Sequence, residues 1–212
     1  MEDLGREDID PREFHAEWDG RMFPFHRHVR RAHRFLPISC IMTGSLRLVL
    51  KERKIFVERD RLEKYIALTR SSFINYGKPF DDARPTLELL KQRSSHLGVI
   101  SNADMDLYKQ LVRMKLLPFF KSNITSYEAR SYKPCRTIFQ TALRLARCTA
   151  DNAAMVGDSI ENDILGASKV GMTTVLVNRG VVRKSRKIDP SQSIRPDFVV
   201  SNLREISTKL DI

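Results

Sequence analysis

The chain has 212 residues, of which 42% are hydrophobic and 30% are charged, a balance typical of a globular protein and unlike that of a disordered chain. Its formal net charge of +11 is compatible with a nucleic-acid partner, with an anionic substrate, or with a generally basic composition. No apolar run is long enough to span a bilayer. Residues 1–6 lack the basic-then-apolar layout of a signal peptide.

The number and spacing of the cysteines also limit the class of protein. Cys40, Cys135 and Cys148 are widely spaced and odd in number. A disulfide framework needs pairs and a zinc site needs closely spaced ligands, so neither is predicted. Unpaired cysteines are typical of a reducing compartment, and the sequence therefore predicts a cytoplasmic protein with no membrane partner.

Before about residue 80, the apolar residues follow helical spacing. Phe14 and Trp18, four residues apart, lie within a helix predicted over 11–22, and a second helix is predicted over 59–76. Residues 46–57 fit either a hairpin or a continued helix, and the sequence leaves this choice open.

After residue 80, short apolar runs alternate with helical patterns. Strands are predicted at residues 97–100, 123–125, 153–156, 173–177 and 198–200. Alternating strands and helices predict an α/β fold with a Rossmann-like parallel sheet and helices on both faces. In such folds ligands bind beyond the carboxyl ends of the strands, so the residues that follow each strand are the candidates for a site.

Polar side chains do follow these strands. Ser101 and Asn102 come after the first, Asp158 after the third, and Asp163 lies on the opening turn of the next helix, while Lys133 lies between them in sequence. A hydroxyl and backbone N–H groups can hold phosphate oxygens, and an ammonium can neutralise charge on a transferring group. Two carboxylates supply the hard oxygen ligands that suit Mg²⁺. Together these residues predict a site for a phosphate and a divalent cation.

Each of these residues also has a purely structural explanation. Ser101 and Asn102 could cap a helix, and Lys133 could be a solvated surface lysine. Asp158 could be a turn residue, and Asp163 a carboxylate favoured at a helix start. Only their joint order after predicted strands favours a functional interpretation.

The ordered motifs resemble those of one family. A hydrophobic strand followed by Ser101-Asn102, then Lys133-Pro134, then Gly157-Asp158-Ser159-x-x-Asn162-Asp163 with Gly166-Ala167 beyond, is similar to the haloacid-dehalogenase-like (HAD) superfamily. Arg130 is a departure, since many members have glycine three residues before the lysine. The resemblance implies a helical cap region over 1–78 and a HAD-like α/β core over 79–212.

The resemblance also implies a chemistry. It predicts a Mg²⁺-dependent phosphatase that hydrolyses a small phosphorylated metabolite through an aspartyl-phosphate. By this resemblance Ser101 and Asn102 bind the substrate phosphate, and Lys133 steadies the nucleophile and the phosphoryl group. Asp158 is a metal ligand, and Asp163 is a second ligand or orients the metal-bound water and Lys133.

The family's first motif, Asp-x-Asp after a hydrophobic strand, is not visible in the chain. Asp8-Ile9-Asp10 has the spacing but no preceding strand, and Glu58-Arg59-Asp60 would require a glutamate nucleophile. We therefore expect an N-terminally shortened form. In the family this strand lies between the strands that end at Ser101 and Asp158. Without it, backbone N–H and C=O groups on both neighbouring strands would lack partners.

Three other functions stay open at this point. One is a 2-haloacid dehalogenase, which the predicted metal set disfavours because that reaction needs no metal. Another is a catalytically inactive binding protein that contacts an anion or partner through the basic run at 26–34. The third is nucleic-acid binding, for which no recognised module occurs. The basic runs at 26–34 and 183–187 are interpreted as solvated surfaces, and oligomeric state is not predicted.

Overall fold

The structure, a computed structural model, describes residues 8–32, 34–93, 96–180 and 194–211. It divides into two compact units, Met1–Gly77 with Ala103–Gln110, and Lys78–Asn102 with Leu111–Ile212. The assignment of 1–78 as cap and 79–212 as core stays a prediction. Among the described helices, none combines the length and apolarity that crossing a membrane requires.

Three helices dominate the first unit: α1 (Pro11–Arg31), α2 (Ile38–Glu52) and α3 (Arg59–Tyr76). The Asp10 carboxylate caps α1 by accepting the N–H groups of Arg12 at 2.7 Å and Glu13 at 3.1 Å, which satisfies two of the donors that a helix start leaves unpaired. Because α2 continues to Glu52, the hairpin alternative for residues 46–57 is wrong.

The core of the first unit forms between the apolar stripes of these helices. The indole N–H of Trp18 donates to Ser45 Oγ at 3.0 Å, and the Tyr65 hydroxyl lies 2.8 Å from His15 Nε2. These bonds satisfy polar atoms that burial would otherwise penalise. The apolar cluster around them comprises Ile9, Phe14, Trp18, Met42, Leu46, Val49, Leu50, Ile55, Leu62, Tyr65 and Ile66.

The second unit alternates strands and helices. Its strands are β1 (Gly98–Ser101), β2 (Ser122–Thr125), β3 (Ala154–Gly157), β4 (Thr173–Val177) and β5 (Phe198–Val200). The remaining helices are α4 (Ala83–Arg93), α5 (Asp106–Arg113), α6 (Ser126–Ala129), α7 (Arg136–Ala146), α8 (Leu165–Ser168) and α9 (Ile206–Lys209). Helix α5 begins in the first unit and ends in the second.

All strand pairs are parallel, as the alternation of strands and helices predicts. β1 pairs with β2, so that Ser101 lies opposite Thr125, and β4 lies between β3 and β5. The α/β fold class is therefore confirmed. The strands form two sheets, β1-β2 and β3-β4-β5. Within the part of the chain that the structure describes, β1 has no strand partner besides β2, and β3 none besides β4.

Two carboxylates join distant segments of the second unit. Asp82 accepts both Arg179 Nη2 (2.9 and 2.8 Å) and the N–H of Leu203 (2.8 Å). Burial raises the pKa of Asp82, but the hydrogen bonds from Leu203 and Arg179 and the Arg179 charge outweigh burial and lower that pKa. Asp197 likewise accepts the N–H and hydroxyl of Thr174, which lower the pKa of Asp197. Asp82 therefore ties the start of α4 to the residues after β4 and β5.

Candidate functional site

The segment before α7 is locked to the end of β1 by a side-chain amide. Asn102 Oδ1 accepts the backbone N–H of Lys133 at 2.7 Å, and Asn102 Nδ2 donates to the Lys133 carbonyl at 3.2 Å. The Lys133–Pro134 peptide bond is cis. Because both the oxygen and the nitrogen of its amide are bonded to Lys133, the Asn102 side chain fixes the position of the Lys133 backbone.

The Lys133 side chain reaches back toward the same strand. Its ammonium donates to the carbonyl of Ile100 at 2.7 Å and lies 2.7 Å from Asp163 Oδ1. The ion pair is buried, because the side chains of Lys133 and Asp163 are only 12% and 5% exposed. Asp163 Oδ1 accepts no hydrogen bond of good geometry, so its contact with Lys133 is chiefly electrostatic. The ammonium is thus held at the carboxyl end of β1.

Asp163 is positioned by the turn that follows β3. Its Oδ2 accepts the backbone N–H of Ser159 at 3.0 Å. The Ser159 hydroxyl accepts the N–H of Asn162 at 3.1 Å and caps a π-helical turn, Ile160–Ile164. Gly157 makes this turn possible, since a Cβ there would lie 2.4 Å from the Cβ, Cγ and Oδ2 of Asp163. The glycine is required for close approach of backbone and carboxylate.

Ser101 and Asp158 complete the set of predicted residues. Ser101 is the half-buried last residue of β1, and Asp158 follows β3 directly and is exposed. The two carboxylates differ in burial, since Asp163 is buried against Lys133 and Ser159 whereas Asp158 is exposed. Among the described residues no group of three or more His, Cys, Asp or Glu side chains could hold a metal. Asp158 alone would supply one carboxylate to a cation, whose further oxygen ligands would have to come from water or an anion.

The structure thus joins Asn102, Lys133 and Asp163 through contacts, and places Ser101 and Asp158 at strand ends. The roles of Gly157 and of the Ile100 carbonyl are not deduced from the sequence. Gly157 carried a signal, since a glycine between a buried strand and an aspartate indicates close backbone approach. No sequence signal identifies a particular carbonyl as the partner of Lys133.

The other candidate residues take structural positions or lie outside the described residues. Asp10 caps α1, and Glu58 directly precedes α3, so neither follows a strand. The basic run at 26–34 extends α1 to Arg31, and its residue 33 lies outside the described residues. The basic run at 183–187 lies wholly outside them. The thiols of Cys40, Cys135 and Cys148 are free.

Comparison with known proteins supplies the class. Residues 132–206 match the HAD-hydrolase-like family. A glyceraldehyde 3-phosphate phosphatase from Methanothermobacter thermautotrophicus is 37% identical over 132 residues, which cover 61% of this chain and 58% of that protein. The chain thus spans little more than half the length of the curated relatives that it matches.

Two solved structures extend the comparison. A HAD phosphatase from Thermococcus onnurineus has a TM-score of 0.57 and 25% identity, over 77% of this chain and 69% of that one. A 2-haloacid dehalogenase from Pseudomonas syringae pv. Tomato DC3000 has a TM-score of 0.64 and 25% identity, over 99% of this chain and 84% of that one. The fold is a parallel α/β fold. The chain is thus similar to HAD-like hydrolases, over residues 132–206 by the family match and over 132 residues by the sequence of the relative.

Proposed function

We propose that the protein is a Mg²⁺-dependent phosphatase of a small phosphorylated metabolite. The observation that carries the proposal is the Lys133 ammonium, held between the Ile100 carbonyl and Asp163 at the end of a parallel strand. A preorganised cation at this place stabilises charge that develops on a transferring phosphoryl group. The similarity to a glyceraldehyde 3-phosphate phosphatase supports a phosphate monoester as substrate.

Ser101 and Asn102 bind the phosphate in this proposal. The proposed donors to the phosphate oxygens are the Ser101 hydroxyl and the backbone N–H of Asn102. The Asn102 amide is engaged with the Lys133 backbone, so its side chain acts mainly by positioning the lysine. The helical region 1–78 is the cap that selects the rest of the substrate.

Mg²⁺ fits the donor set with Asp158 as the direct ligand. When bound, the ion supplies Lewis-acid neutralisation of the phosphate charge. Asp163 orients Lys133 through its Oδ1 and the Ser159 turn through its Oδ2. In this proposal Asp163 is therefore the orienting carboxylate, and the exposed Asp158 is the metal ligand.

In this proposal the attacking carboxylate follows a further parallel strand that pairs with both β1 and β3. β1 and β3 are both parallel strands, and each has one strand partner among the described residues. An added parallel strand between them would supply the missing backbone partners. A carboxylate at its carboxyl end would lie at the same edge as Ser101, Lys133 and Asp158.

The 2-haloacid dehalogenase reaction is the alternative that the structural similarity raises. A dehalogenase of this kind needs no metal. It would therefore not require a metal ligand at Asp158 in addition to the carboxylate of Asp163. The two carboxylates therefore favour phosphate chemistry. Retention of 2-chloropropionate hydrolysis by Asp158→Asn, with no phosphatase activity in the parent, would reverse this preference.

Two measurements test the function. The first is isothermal titration of orthophosphate into the chain, comparing Lys133→Met with Lys169→Met, a change at an exposed lysine after α8. Lys133→Met is expected to abolish binding and Lys169→Met to leave it unchanged. The second is phosphate release from glyceraldehyde 3-phosphate by the full-length gene product, with Mg²⁺ and with EDTA. Turnover that survives EDTA or Asp158→Asn would contradict the proposed mechanism.

A further inference from the structure

The start of α2 is capped by a carboxylate from a distant part of the chain. Asp104 Oδ1 accepts the N–H of Ile38 at 2.8 Å, and Asp104 Oδ2 accepts the N–H of Ser39 at 2.9 Å. The residue before the helix, Pro37, supplies no side-chain cap, and the first turn of α2 contains no acidic residue. Asp104 therefore satisfies two of the donors that a helix start leaves unpaired, and it places a negative charge at the positive end of the helix dipole.

The capping carboxylate is buried and has a cation nearby. The Asp104 side chain is only 10% exposed, and Arg70 Nη2 lies 4.0 Å from Asp104 Oδ2. Arg70 also donates from Nε to Asp106 Oδ2 at 2.7 Å. Asp104 and the residues that it contacts all lie in the first unit. The segment that leads into α5 is therefore held against α2 and α3.

The proposed phosphate-binding residues come directly before this anchor in the chain. Ser101 ends β1, and only Ala103 separates Asn102 from Asp104. The pairing of β1 with β2 fixes the backbone on one side of the Ser101–Asn102 pair, and the Asn102 amide is bonded to Lys133. The bonds of Asp104 to α2 fix the backbone on the other side, where the chain leaves the strand.

We infer that Asp104 is a positioning residue, which holds the Ser101 hydroxyl and the Asn102 N–H in the arrangement that binds a phosphate group. This inference rests on the proposed function, and Asp104 itself makes no contact with the substrate in it. Two donors bind one anion best when their relative position is fixed beforehand, since binding otherwise has to order them. Because the Asp104 carboxylate bonds two successive N–H groups of α2, a shift of the backbone at Asp104 would lengthen at least one of these bonds.

The test separates this role from the capping of α2. Asp104→Ala removes both hydrogen bonds, so it is expected to weaken the start of α2 as well as the phosphate site. Pro37→Asp supplies a local cap, because an aspartate at this position can accept N–H groups from the first turn of the helix. In the double variant Pro37→Asp/Asp104→Ala, α2 has a cap again but the segment after Asn102 lacks the Asp104 anchor. Asp106→Ala removes a carboxylate that bonds to Arg70 and retains Asp104, so it is the matched control.

Orthophosphate binding is measured by isothermal titration, and stability by urea denaturation. Asp104→Ala is expected to weaken binding about tenfold. The double variant is expected to regain stability but not binding, and Asp106→Ala to bind within about twofold of the wild-type chain. Wild-type affinity in Asp104→Ala, or recovery of binding in the double variant, would overturn the positioning role alone. Failure of the wild-type chain to bind orthophosphate would overturn the phosphate site and this role with it.

Discussion

Lys133 Nζ lies 2.7 Å from Asp163 Oδ1, and both side chains are almost fully removed from solvent. The pair joins the segment before α7 to the turn after β3, two elements that are 30 residues apart in sequence. A buried charge that loses its partner is costly, whereas the intact pair is close to neutral in stability. The pair is therefore a sensitive point for both folding and chemistry.

Asp163→Asn is expected to destabilise the fold by about 3 kcal/mol, because it leaves the Lys133 ammonium buried without a counter-charge. The asparagine oxygen can still accept the Ser159 N–H, so the turn itself is retained. Urea denaturation of Asp163→Asn, Lys133→Met and the double variant measures the coupling. A double variant as unstable as the sum of the two single variants would show that the two residues do not interact.

Gly157→Ala is expected to displace Asp163, since the new methyl group would lie 2.4 Å from three of its side-chain atoms. The predicted result is a loss of about 2 kcal/mol in stability from overpacking together with loss of orthophosphate binding. Gly20→Ala, within α1 and with no atom within 4 Å of the added Cβ, is the matched control. That change is expected to raise stability by up to about 1 kcal/mol.

Asp82→Asn is expected to cost about 3 kcal/mol at neutral pH, because Arg179 loses a counter-charge in a buried contact. The pKa of Asp82 is lowered in the folded protein, where burial is outweighed by Leu203 and Arg179. The carboxylate therefore stabilises the fold above its ordinary pKa, and this contribution is lost as the pH falls below about 3.8. In thermal melts, the melting temperatures of wild type and Asp82→Asn should converge as the pH falls. A difference in melting temperature that stays constant with pH would show that the effect comes from packing.

His96 is expected to make stability depend on pH near neutrality. Burial lowers the pKa of His96, and the charge of Lys121 lowers it further. The unfolded chain therefore binds a proton at higher pH than the folded one, so stability rises with pH between the lowered pKa and the ordinary value of about 6.5. His96→Gln keeps a group that can bond to Ser122 and should flatten this part of the profile. An unchanged slope in the variant would point to another group.

The strands were predictable because each is a short apolar run bounded by polar residues. β4 and β5 occupy the predicted residues 173–177 and 198–200. β1 and β3 are each shifted by one residue from the prediction, and β2 begins one residue earlier. The predicted helix at 11–22 is too short, since α1 continues to Arg31. Solvated basic residues contribute little apolar periodicity, so the sequence pattern fades before the helix ends.

The site was predictable as a set of residues, but not as a set of contacts. The order of Ser101, Lys133 and Asp158 along the chain indicates which strand ends carry polar groups. The engagement of the Asn102 amide with the Lys133 backbone, across 31 residues, depends on how the two segments pack. Local sequence patterns carry no information about that packing, and the same holds for the Ile100 carbonyl.

The separation of the five strands into two sheets has a consequence for how the second unit opens. Among the described residues, the link between β1-β2 and β3-β4-β5 includes the side chains of Lys133 and Asp163 but no strand-to-strand hydrogen bond. Cooperative opening follows contiguous hydrogen-bonded units. Amide hydrogen exchange should therefore show the two sheets exchanging in separate events, and an anion bound beside Lys133 should slow both together.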